Sequence, residues 1–307
     1  MNEKGKGLAI ASEGLVRRHA NGGGFGPLDL EVRRGEAFAI MGPNGAGKST
    51  LLHVLATITR PQEGAIRWFD AADRSAIRRR LGVALDALEE DEQLTGRQCA
   101  YFWSRQWLSD RVVARELSDQ ALVRFGLQDS ADDCVRTYSF GMRRRLALVE
   151  ALGHHPTLAL LDEPTAGLDP QGVDTLAAEL SARSQQGMTT VVASNDPTFV
   201  QSACHRVALL REGRVVACSA PSELLSTLAG TRVAELVLHE NGVADRLAAI
   251  QGVIGVHALA GAIRVRFDDP ESLPQIVRSA DSPGGNLVTL TVREADLRDC
   301  LEESVRP

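Results

Sequence analysis

The chain has 307 residues, of which 44% are hydrophobic, so it can form one large domain or a large and a small one, and global disorder is not expected. Its net charge of −6 argues against a general nucleic-acid binder, because such a protein needs a basic face to displace counterions. The five cysteines are scattered without a CxxC pair, which argues against a zinc site or a disulfide framework and fits a reducing cytoplasm.

The amino-terminal third of the chain predicts strands that lead into a glycine-rich stretch. The polar start MNEKGKG lacks the apolar core of a signal peptide, and no apolar run approaches the ~20 residues of a membrane span. Another chain would therefore have to supply any membrane span. Residues 27–41 predict two short strands around a turn at Arg34-Gly35, and the second, over 37–41, precedes the glycines. Residues 49–59 then predict a helix with apolar residues on one face.

The middle of the chain predicts alternating helices and strands. The strand-like AIRWF and an Arg-rich helix are followed by a mostly helical segment over 86–137. Helices are then expected at 141–153, 171–186 and 197–203, strands at 157–161 and 188–194, and a hairpin over RVALLREGRVVACS. This alternation predicts a largely parallel sheet that is covered on both faces. From about residue 229, strand-like RVAELVLHE, VIGVHALAGAIRVRF and NLVTLTV, with helix-like VADRLAAI and ESLPQIVRSA, predict a small α+β domain.

The glycine-rich stretch fits the phosphate-loop pattern GxxxxGK[ST], and it lies between a predicted strand and a predicted helix, as that motif requires. Its glycines let backbone N–H groups surround phosphates, and the helix amino terminus adds positive potential. Lys48, one of only three lysines, would reach the β- and γ-phosphates, and Ser49 would bind Mg²⁺. The context disfavours a turn that binds nothing. The predicted nucleotide-binding residues here are Gly42, Pro43, Asn44, Gly45, Ala46, Gly47, Lys48, Ser49 and Thr50.

The segment LALLDEP at 158–164 is an apolar strand that ends in two carboxylates. Behind a phosphate loop, Asp162 would hold Mg²⁺ through water, and Glu163 would act as a general base on the attacking water. The alternative is an acidic cap on an ordinary sheet, which the phosphate loop makes less favoured. The two carboxylates therefore predict hydrolysis of the bound nucleotide.

Four segments occur in the order and spacing of the ATP-binding subunits of ABC transporters: GPNGAGKST, YSFGMRRRLALVEAL, LALLDEPTAGLDP and REGRVVACSAPSELL. Residues 8–228 resemble this family, and LTGRQ with YSFGMRRRL is most similar to its drug-resistance branch, the daunorubicin-exporter type. The resemblance implies an ABC-type P-loop NTPase with a mixed sheet core over 1–228, including a helical subdomain at about 86–137. The domain over 229–307 is similar to the small C-terminal α+β domain of that branch.

The resemblance also implies a function and partners. Subunits of this branch hydrolyse ATP and pair with separate ABC-2-type transmembrane subunits that export a drug, an antibiotic or a lipid. Two ATP-binding subunits, identical or different, would form a head-to-tail dimer in which Ser139 and Gly141 of one subunit contact the nucleotide of the other. The helical subdomain would dock the membrane subunit through EEDE at 89–92 and YFW at 101–103. The alternative is that EEDE forms a solvated turn and that YFW belongs to the core. The protein would then lie in the cytoplasm, on the inner face of the cell membrane, without a nucleic-acid partner.

Four positions depart from the family pattern. Asp86 replaces the Q-loop glutamine, and Asn195 replaces the switch histidine, so both are expected near the γ-phosphate and the attacking water. Phe140 replaces the first glycine of the signature segment. A glycine at this position lets the backbone approach the partner's phosphate closely. His19 aligns with the aromatic residue that stacks on adenine.

The departures leave more than one function open. Because Glu163 is retained, and because the loss of one hydrogen bond to a transition state costs about 10²–10³ in rate, slowed hydrolysis is favoured over none. A non-catalytic nucleotide-binding regulatory subunit is the main alternative. A soluble ABC protein that acts on ribosomes or DNA is disfavoured, because the chain has one phosphate loop, no heptad insertion and an acidic balance.

Overall fold

The computed structural model describes residues 7–20, 22–69, 73–85, 92–239, 242–259 and 261–303. In chain order the strands are β1 (Leu8–Arg18), β2 (Gly24–Arg33), β3 (Ala37–Met41), β4 (Glu63–Trp68), β5 (Leu81–Ala84), β6 (Leu158–Asp162), β7 (Thr189–Ala193), β8 (Arg206–Arg211), β9 (Arg214–Ser219), β10 (Arg232–Leu238), β11 (Val253–Leu259), β12 (Ala262–Phe267) and β13 (Leu287–Glu294). The helices are α1 (Lys48–Leu55), α2 (Arg74–Arg78), α3 (Gly96–Trp107), α4 (Arg111–Arg124), α5 (Phe140–Leu152), α6 (Pro170–Gln185), α7 (Pro197–Ala203), α8 (Pro221–Ser226), α9 (Ala244–Ala248), α10 (Leu273–Ala280) and α11 (Leu297–Glu303).

The chain divides into two units, one that ends at Pro221 and one that begins at Ser222. The sequence places the boundary slightly later, between 228 and 229, where the strand-like pattern of the second unit begins. The short helix α8 and the turns after it account for this difference, because they group with the second unit.

The first unit is built on a six-stranded sheet in the order β5-β6-β7-β3-β8-β9. The first five strands are parallel, and β9 returns antiparallel to β8. Every residue of β3, β6 and β7 is buried, which explains why these segments are continuous apolar runs rather than alternating ones. The carboxyl ends of β3, β6 and β7 therefore meet at one edge of the sheet.

A smaller antiparallel sheet in the order β2-β1-β4 packs against the same core. Strand β1 has no counterpart in the sequence prediction. Its pairing with β2 shifts register between Ser12 and Leu15, and Gly14 has a φ of 58°, so a bulge interrupts the alternation of apolar and polar residues.

Helix α1 joins the two sheets through Leu51, Leu52 and Leu55, which are fully buried. Full burial of one such side chain contributes about 1.5–3 kcal/mol to stability. The helix ends at Leu55 rather than at residue 59, because Thr57 adopts a φ of 62° that a right-handed helix excludes.

The segment predicted to be mostly helical contains α3 and α4, which pack on each other and on α5. Thr95 and Gln98 form a reciprocal capping box at the start of α3, and Asp110 caps α4. Two single 3₁₀ turns, Gln128–Ser130 and Val135–Thr137, complete the described part of this segment.

The second unit is a four-stranded antiparallel sheet in the order β11-β12-β10-β13. Helices α9 and α10 contribute to its separate apolar core, which includes Leu236, Leu247, Ile263 and Ile276. The two units together confirm the predicted fold class, an α/β unit with a mixed sheet core followed by a small α+β domain. Across the described ranges, none of the helices has the length and apolar character that a bilayer crossing requires.

Candidate functional site

The glycine-rich loop leaves the carboxyl end of β3 and opens directly into α1, as the motif predicts. Gly47 is the residue before α1 and has a φ of 103°, and a Cβ at this position would lie 2.5 Å from the carbonyl oxygen of Gly24. Only glycine fits both constraints. Within the described residues no side chain caps α1, so its first N–H groups are presented to the loop interior. These groups and the helix dipole favour an anion such as a phosphate.

Lys48 lies where the loop meets the end of β6. Its ammonium donates hydrogen bonds to the carbonyl oxygens of Gly42, at 2.7 Å, and Pro43, at 3.4 Å, and Nζ lies 3.9 Å from Glu163 Oε1. Burial lowers the pKa of Lys48, and the negative charges of Glu163 and Asp162 oppose that effect. The side chain is thus held in place and positioned to meet a negative ligand.

Ser49 and Thr50 follow in the first turn of α1. Ser49 is exposed and adds a hydroxyl oxygen at the mouth of the loop. Thr50 Oγ1 lies 3.0 Å from His19 Nε2, and His19 is itself exposed, with its backbone in a turn closed onto Gly23. His19 therefore lies beside the phosphate loop. From this position its imidazole ring can reach the adenine base of a nucleotide whose phosphates lie in the loop.

Asp162 is the last residue of β6 and is almost completely buried. Its Oδ1 atom is inaccessible to solvent and has no hydrogen-bond partner among the described residues. Leaving a buried carboxylate oxygen unpaired is costly, and carboxylate and hydroxyl oxygens are the ligands that Mg²⁺ prefers. The donor set of Asp162 and Ser49 consequently fits a magnesium ion.

Glu163 follows in an unusual backbone conformation, with a φ of 41°. Its N–H donates to the Ala193 carbonyl oxygen at 2.8 Å, and its Oε2 accepts the backbone N–H of Asn195 at 3.2 Å. Burial raises the pKa of Glu163, and the bond from Asn195 and the charge of Lys48 counteract it. A half-buried carboxylate of this kind is suited to accept a proton.

Asn195 connects Glu163 to the phosphate loop. Its backbone bonds Glu163 as described, and its Nδ2 donates to Asn44 Oδ1 at 3.2 Å. The structure thus brings together the loop, Lys48, Glu163 and Asn195 from segments about 150 residues apart in the chain. Asp86 and residues 89–91 lie outside the described residues, whereas Glu92 forms an ion pair with Arg143 at 2.8 Å.

The signature segment forms the start of α5. Ser139 is the N-cap, and its Oγ accepts the N–H of Met142 at 3.2 Å. Phe140 is the first helical residue and 68% exposed, and its φ is not positive, so the aromatic side chain is accommodated without backbone strain. Its ring occupies the space where a Cβ at Gly167 would be, and a Cβ at Gly141 would lie 2.5 Å from the Gly167 carbonyl oxygen. The signature segment therefore packs closely on the loop around Gly167.

The loop around Gly167 is tied down by its last residue. Asp169 caps α6 by accepting the N–H of Gly172 at 2.8 Å, and it pairs with Arg145 of α5 at 3.0 Å. The Gly172 N–H, more than the Arg145 charge, holds the pKa of Asp169 below its usual value. Helix α5 is accordingly anchored to this loop at two points.

An apolar groove of about 290 Å³ opens where α3, α5 and the end of α1 meet. It is lined by Ala56, Ile58, Leu81, Val83, Trp103, Trp107 and His154, with Arg78 and Glu150 as its charged members. Trp103 and its neighbour Phe102 are exposed, so YFW is not wholly a core segment, and its docking role stays a prediction. Of these lining residues, Trp103 and Trp107 belong to the predicted segment 86–137, and the others lie before or after it.

His154 was not singled out from the sequence. Its ring stacks on Trp107, with centroids 5.0 Å apart and planes 19° from parallel, and its Nε2 lies 3.1 Å from the Leu81 carbonyl oxygen. Burial lowers the pKa of His154 to about 4, so it is neutral at physiological pH. The spacing of Trp103 and Trp107 places both on one helix face, and it is a sequence signal that points to this groove.

Residues 25–166 match the ABC transporter family. The chain is 34% identical over 270 residues to the daunorubicin/doxorubicin resistance ATP-binding protein DrrA of Streptomyces peucetius, with 85% of this chain and 82% of that protein covered. It is 32% identical over 298 residues to the daunorubicin resistance ATP-binding protein DrrA3 of Streptomyces coeruleorubidus, with 94% and 93% covered. Among solved structures, the chain is similar to cbiO1 from Clostridium perfringens, which is part of the ABC transporter complex cbiONQ. The TM-score is 0.62 at 28% identity, and the match covers 72% of this chain and 92% of the cbiO1 chain.

Proposed function

Because this chain belongs to the ATP-binding subunits of the ABC transporter family, in their drug-resistance branch, we propose that it hydrolyses ATP slowly and thereby powers a separate ABC-2-type membrane exporter. The observation that carries the proposal is the cluster in which Lys48, Glu163 and Asn195 meet at the mouth of the phosphate loop. The exported molecule would be a drug, an antibiotic or a lipid, in line with the resistance proteins to which the chain is similar.

Each residue of the cluster has a role in the proposed hydrolysis. The loop N–H groups and Lys48 bind the β- and γ-phosphates of ATP, and His19 stacks on the adenine. Glu163 accepts a proton from the water that attacks the γ-phosphorus atom, and Asn195 donates a hydrogen bond to the γ-phosphate. Mg²⁺ bound by Ser49 and Asp162 would neutralise charge that develops on the phosphate oxygens.

The departures from the family pattern support slow turnover. The Asn195 side chain is shorter than histidine and shares its amide with Asn44. Phe140 places a bulky ring where the nucleotide of a partner subunit would approach. Asp86 would add a negative charge to the same surroundings. Asn195 and Phe140 would each weaken a contact to the γ-phosphate, and one such contact is worth about 10²–10³ in rate.

The exposed signature segment supports a dimer. Ser139, Phe140 and Gly141 begin α5 at the surface, so they would act on the ATP of a second ATP-binding subunit, identical or different. ATP would close this head-to-tail dimer and hydrolysis would open it.

The apolar groove supports docking of the membrane subunit. Its exposed Trp103 and its charged rim of Arg78 and Glu150 fit a short amphipathic helix from the cytoplasmic side of that subunit. Docking would place the chain in the cytoplasm, on the inner face of the cell membrane. Trp103→Glu should abolish co-purification with the membrane subunit, whereas Val123→Glu, an exposed apolar site on α4, should leave it intact. Equal retention of both variants would refute docking at the groove.

Phosphate release by the purified chain, alone and with its membrane subunit, tests the proposal. We expect slow, Mg²⁺-dependent release that the membrane subunit accelerates. Tight ATP binding without release in either setting would overturn it.

The second candidate function is a non-catalytic regulatory subunit that closes on ATP without turnover. The exposed Phe140 ring favours it, because in a head-to-tail dimer this ring would obstruct the approach of a partner's nucleotide. The retained Glu163 opposes it. The candidates differ in one measurable respect: a regulatory subunit would control its complex equally well with ATP and with a non-hydrolysable analogue.

A further inference from the structure

Helix α5 carries a buried arginine, Arg144, shortly after the signature residues Ser139, Phe140 and Gly141. Arg144 is 7% exposed and lies one turn inside the helix. Its guanidinium donates hydrogen bonds to the carbonyl oxygens of Asp162 and Glu163, each at 2.6 Å. One side chain therefore holds two successive carbonyl groups at the end of β6.

These two carbonyls belong to the residues on which the proposed chemistry depends. Glu163 has a φ of 41°, a backbone conformation that non-glycine residues rarely adopt and that persists only when its surroundings hold it. The Glu163 N–H is fixed by Ala193, and the carbonyl oxygens on both sides of that conformation are fixed by Arg144. The direction of both carboxylate side chains follows from this backbone.

The neighbouring arginines do not duplicate this arrangement. Arg143 pairs with Glu92 at 2.8 Å, and Arg145 pairs with Asp169 at 3.0 Å. Both contacts are ion pairs with more exposed side chains, and Arg143 also donates long hydrogen bonds to the carbonyl oxygens of Tyr138, at 3.5 Å, and Arg136, at 3.4 Å. Arg144 differs because its charged donor is buried and bonds two carbonyl oxygens at the end of β6, where a low local dielectric strengthens the bonds.

We propose that Arg144 is a positioning residue that fixes Asp162 and Glu163 from helix α5, so that the Mg²⁺ ligand and the base of one nucleotide site move with the signature segment that serves the other. The inference rests on the proposed ATPase function. Helix α5 begins next to its N-cap Ser139, and Arg144, about one turn further along the same helix, bonds the backbone of Glu163. The helix therefore links Ser139 to Glu163.

A Mg²⁺ titration of nucleotide binding tests the position of Asp162. A fluorescent ATP analogue is bound to the wild-type chain, to Arg144→Met and to the control Arg143→Met, and Mg²⁺ is then added. Because partners of metal ligands typically tune metal affinity 10- to 100-fold, Arg144→Met should raise the Mg²⁺ concentration for half-maximal binding about tenfold. Binding of the analogue without Mg²⁺, and the response of Arg143→Met, should remain as in the wild type.

A double-mutant cycle with Glu163→Gln tests the position of the base. Arg144→Met should lower turnover at saturating ATP about tenfold and leave the KM for ATP nearly unchanged. In the Glu163→Gln background the same substitution should cost clearly less, because the base that it misplaces is already absent. Equal losses in both backgrounds, together with an unchanged Mg²⁺ titration, would overturn the proposal.

Folding and function are separated by two further measurements. If Arg144→Met does not fold, Arg144→Lys takes its place, since an ammonium can keep one of the two bonds, and an intermediate Mg²⁺ shift is expected. An unshifted titration with a folded Arg144→Lys would then count against the proposal. If the wild type releases no phosphate with or without the membrane subunit, the proposed hydrolysis is wrong, while the Mg²⁺ titration still decides the role of Arg144.

Discussion

The nucleotide-holding side of this chain and its signature side are built in opposite ways. On the holding side, Lys48 and Asp162 are buried, Lys48 is fixed by the Gly42 carbonyl oxygen of its own loop, and Glu163 is fixed by the N–H group of Asn195. On the signature side, Ser139 bonds the first turn of its own helix, and the Phe140 ring is 68% exposed. The first side is ordered by the chain itself, whereas the second presents its groups outward.

The difference teaches which substitutions each side tolerates. Buried polar groups are costly unless their positions are fixed, so the holding side has little freedom to change its residues. An exposed helix start accepts a bulky side chain at almost no cost to the fold. The exposed start of α5 therefore accommodates the Phe140 ring, whereas Lys48 and Asp162 lie in buried surroundings that restrict substitution.

Removal of the base should give the largest effect. Glu163→Gln keeps the size of the side chain and its bond from the Asn195 N–H but cannot accept a proton, so turnover should fall about 10²–10⁴-fold. ATP binding should persist. Phosphate release and a nucleotide titration measure the two quantities, with the exposed Glu31→Gln as the matched control. If Glu163→Gln kept more than a tenth of the wild-type turnover, another group would be the base. The buried contacts of the holding side would then not serve to position the catalytic carboxylate.

Asn195→His should raise turnover about tenfold, part of the 10²–10³ that one transition-state hydrogen bond can supply. The imidazole is longer than the amide that now bonds Asn44, and it can donate to a γ-phosphate. Asn195→Ala, which removes the donor, should be slower than the wild type under the same steady-state assay. A histidine variant no faster than the wild type would show that Asn195 already supplies the full contact.

The strands and the helix of the holding side were predicted correctly because these elements are local. The pattern GxxxxGK[ST] specifies a strand, a loop and a helix within a dozen residues, and the apolar run before Asp162 specifies a buried strand. The helix end at Thr57 and the bulge in β1 were not predicted, since both depend on the backbone conformation of single residues within longer apolar patterns.

The long-range contacts of α5 were also beyond prediction. Arg144 lies in a run of three arginines, and only the fold shows that it bonds the Asp162 and Glu163 carbonyls while its neighbours pair with carboxylates. In the same way, His154 contacts Leu81, which lies 73 residues earlier in the chain. The sequence around an arginine or a histidine does not indicate whether its side chain bonds a buried group or faces solvent.

Ser139 offers a test of the signature side, because a single hydroxyl would serve both the fold and the partner. Ser139→Ala removes the cap of α5 and should lower the free energy of unfolding by about 1 kcal/mol, as measured by urea denaturation. Ser139→Asp keeps a capping oxygen, so its stability should be close to that of the wild type. Its charge, however, would repel the γ-phosphate, and ATP-driven dimerisation should weaken. Normal dimerisation of Ser139→Asp would place this hydroxyl away from the partner's nucleotide.

The smallest effect is expected at Phe140. Substitutions at this residue test directly whether the signature side tolerates changes that the holding side does not. Phe140→Gly should change the free energy of unfolding by no more than about 0.5 kcal/mol, because the ring is largely solvent-exposed, and should strengthen ATP-driven dimerisation about two- to threefold, an effect of similar size. Phe140→Ala separates ring removal from added backbone freedom and should lie between the two proteins. Sedimentation velocity with and without ATP measures the change. Weaker dimerisation of both variants would mean that the ring itself contacts the partner, and that the signature side has exchanged a close backbone approach for an aromatic contact.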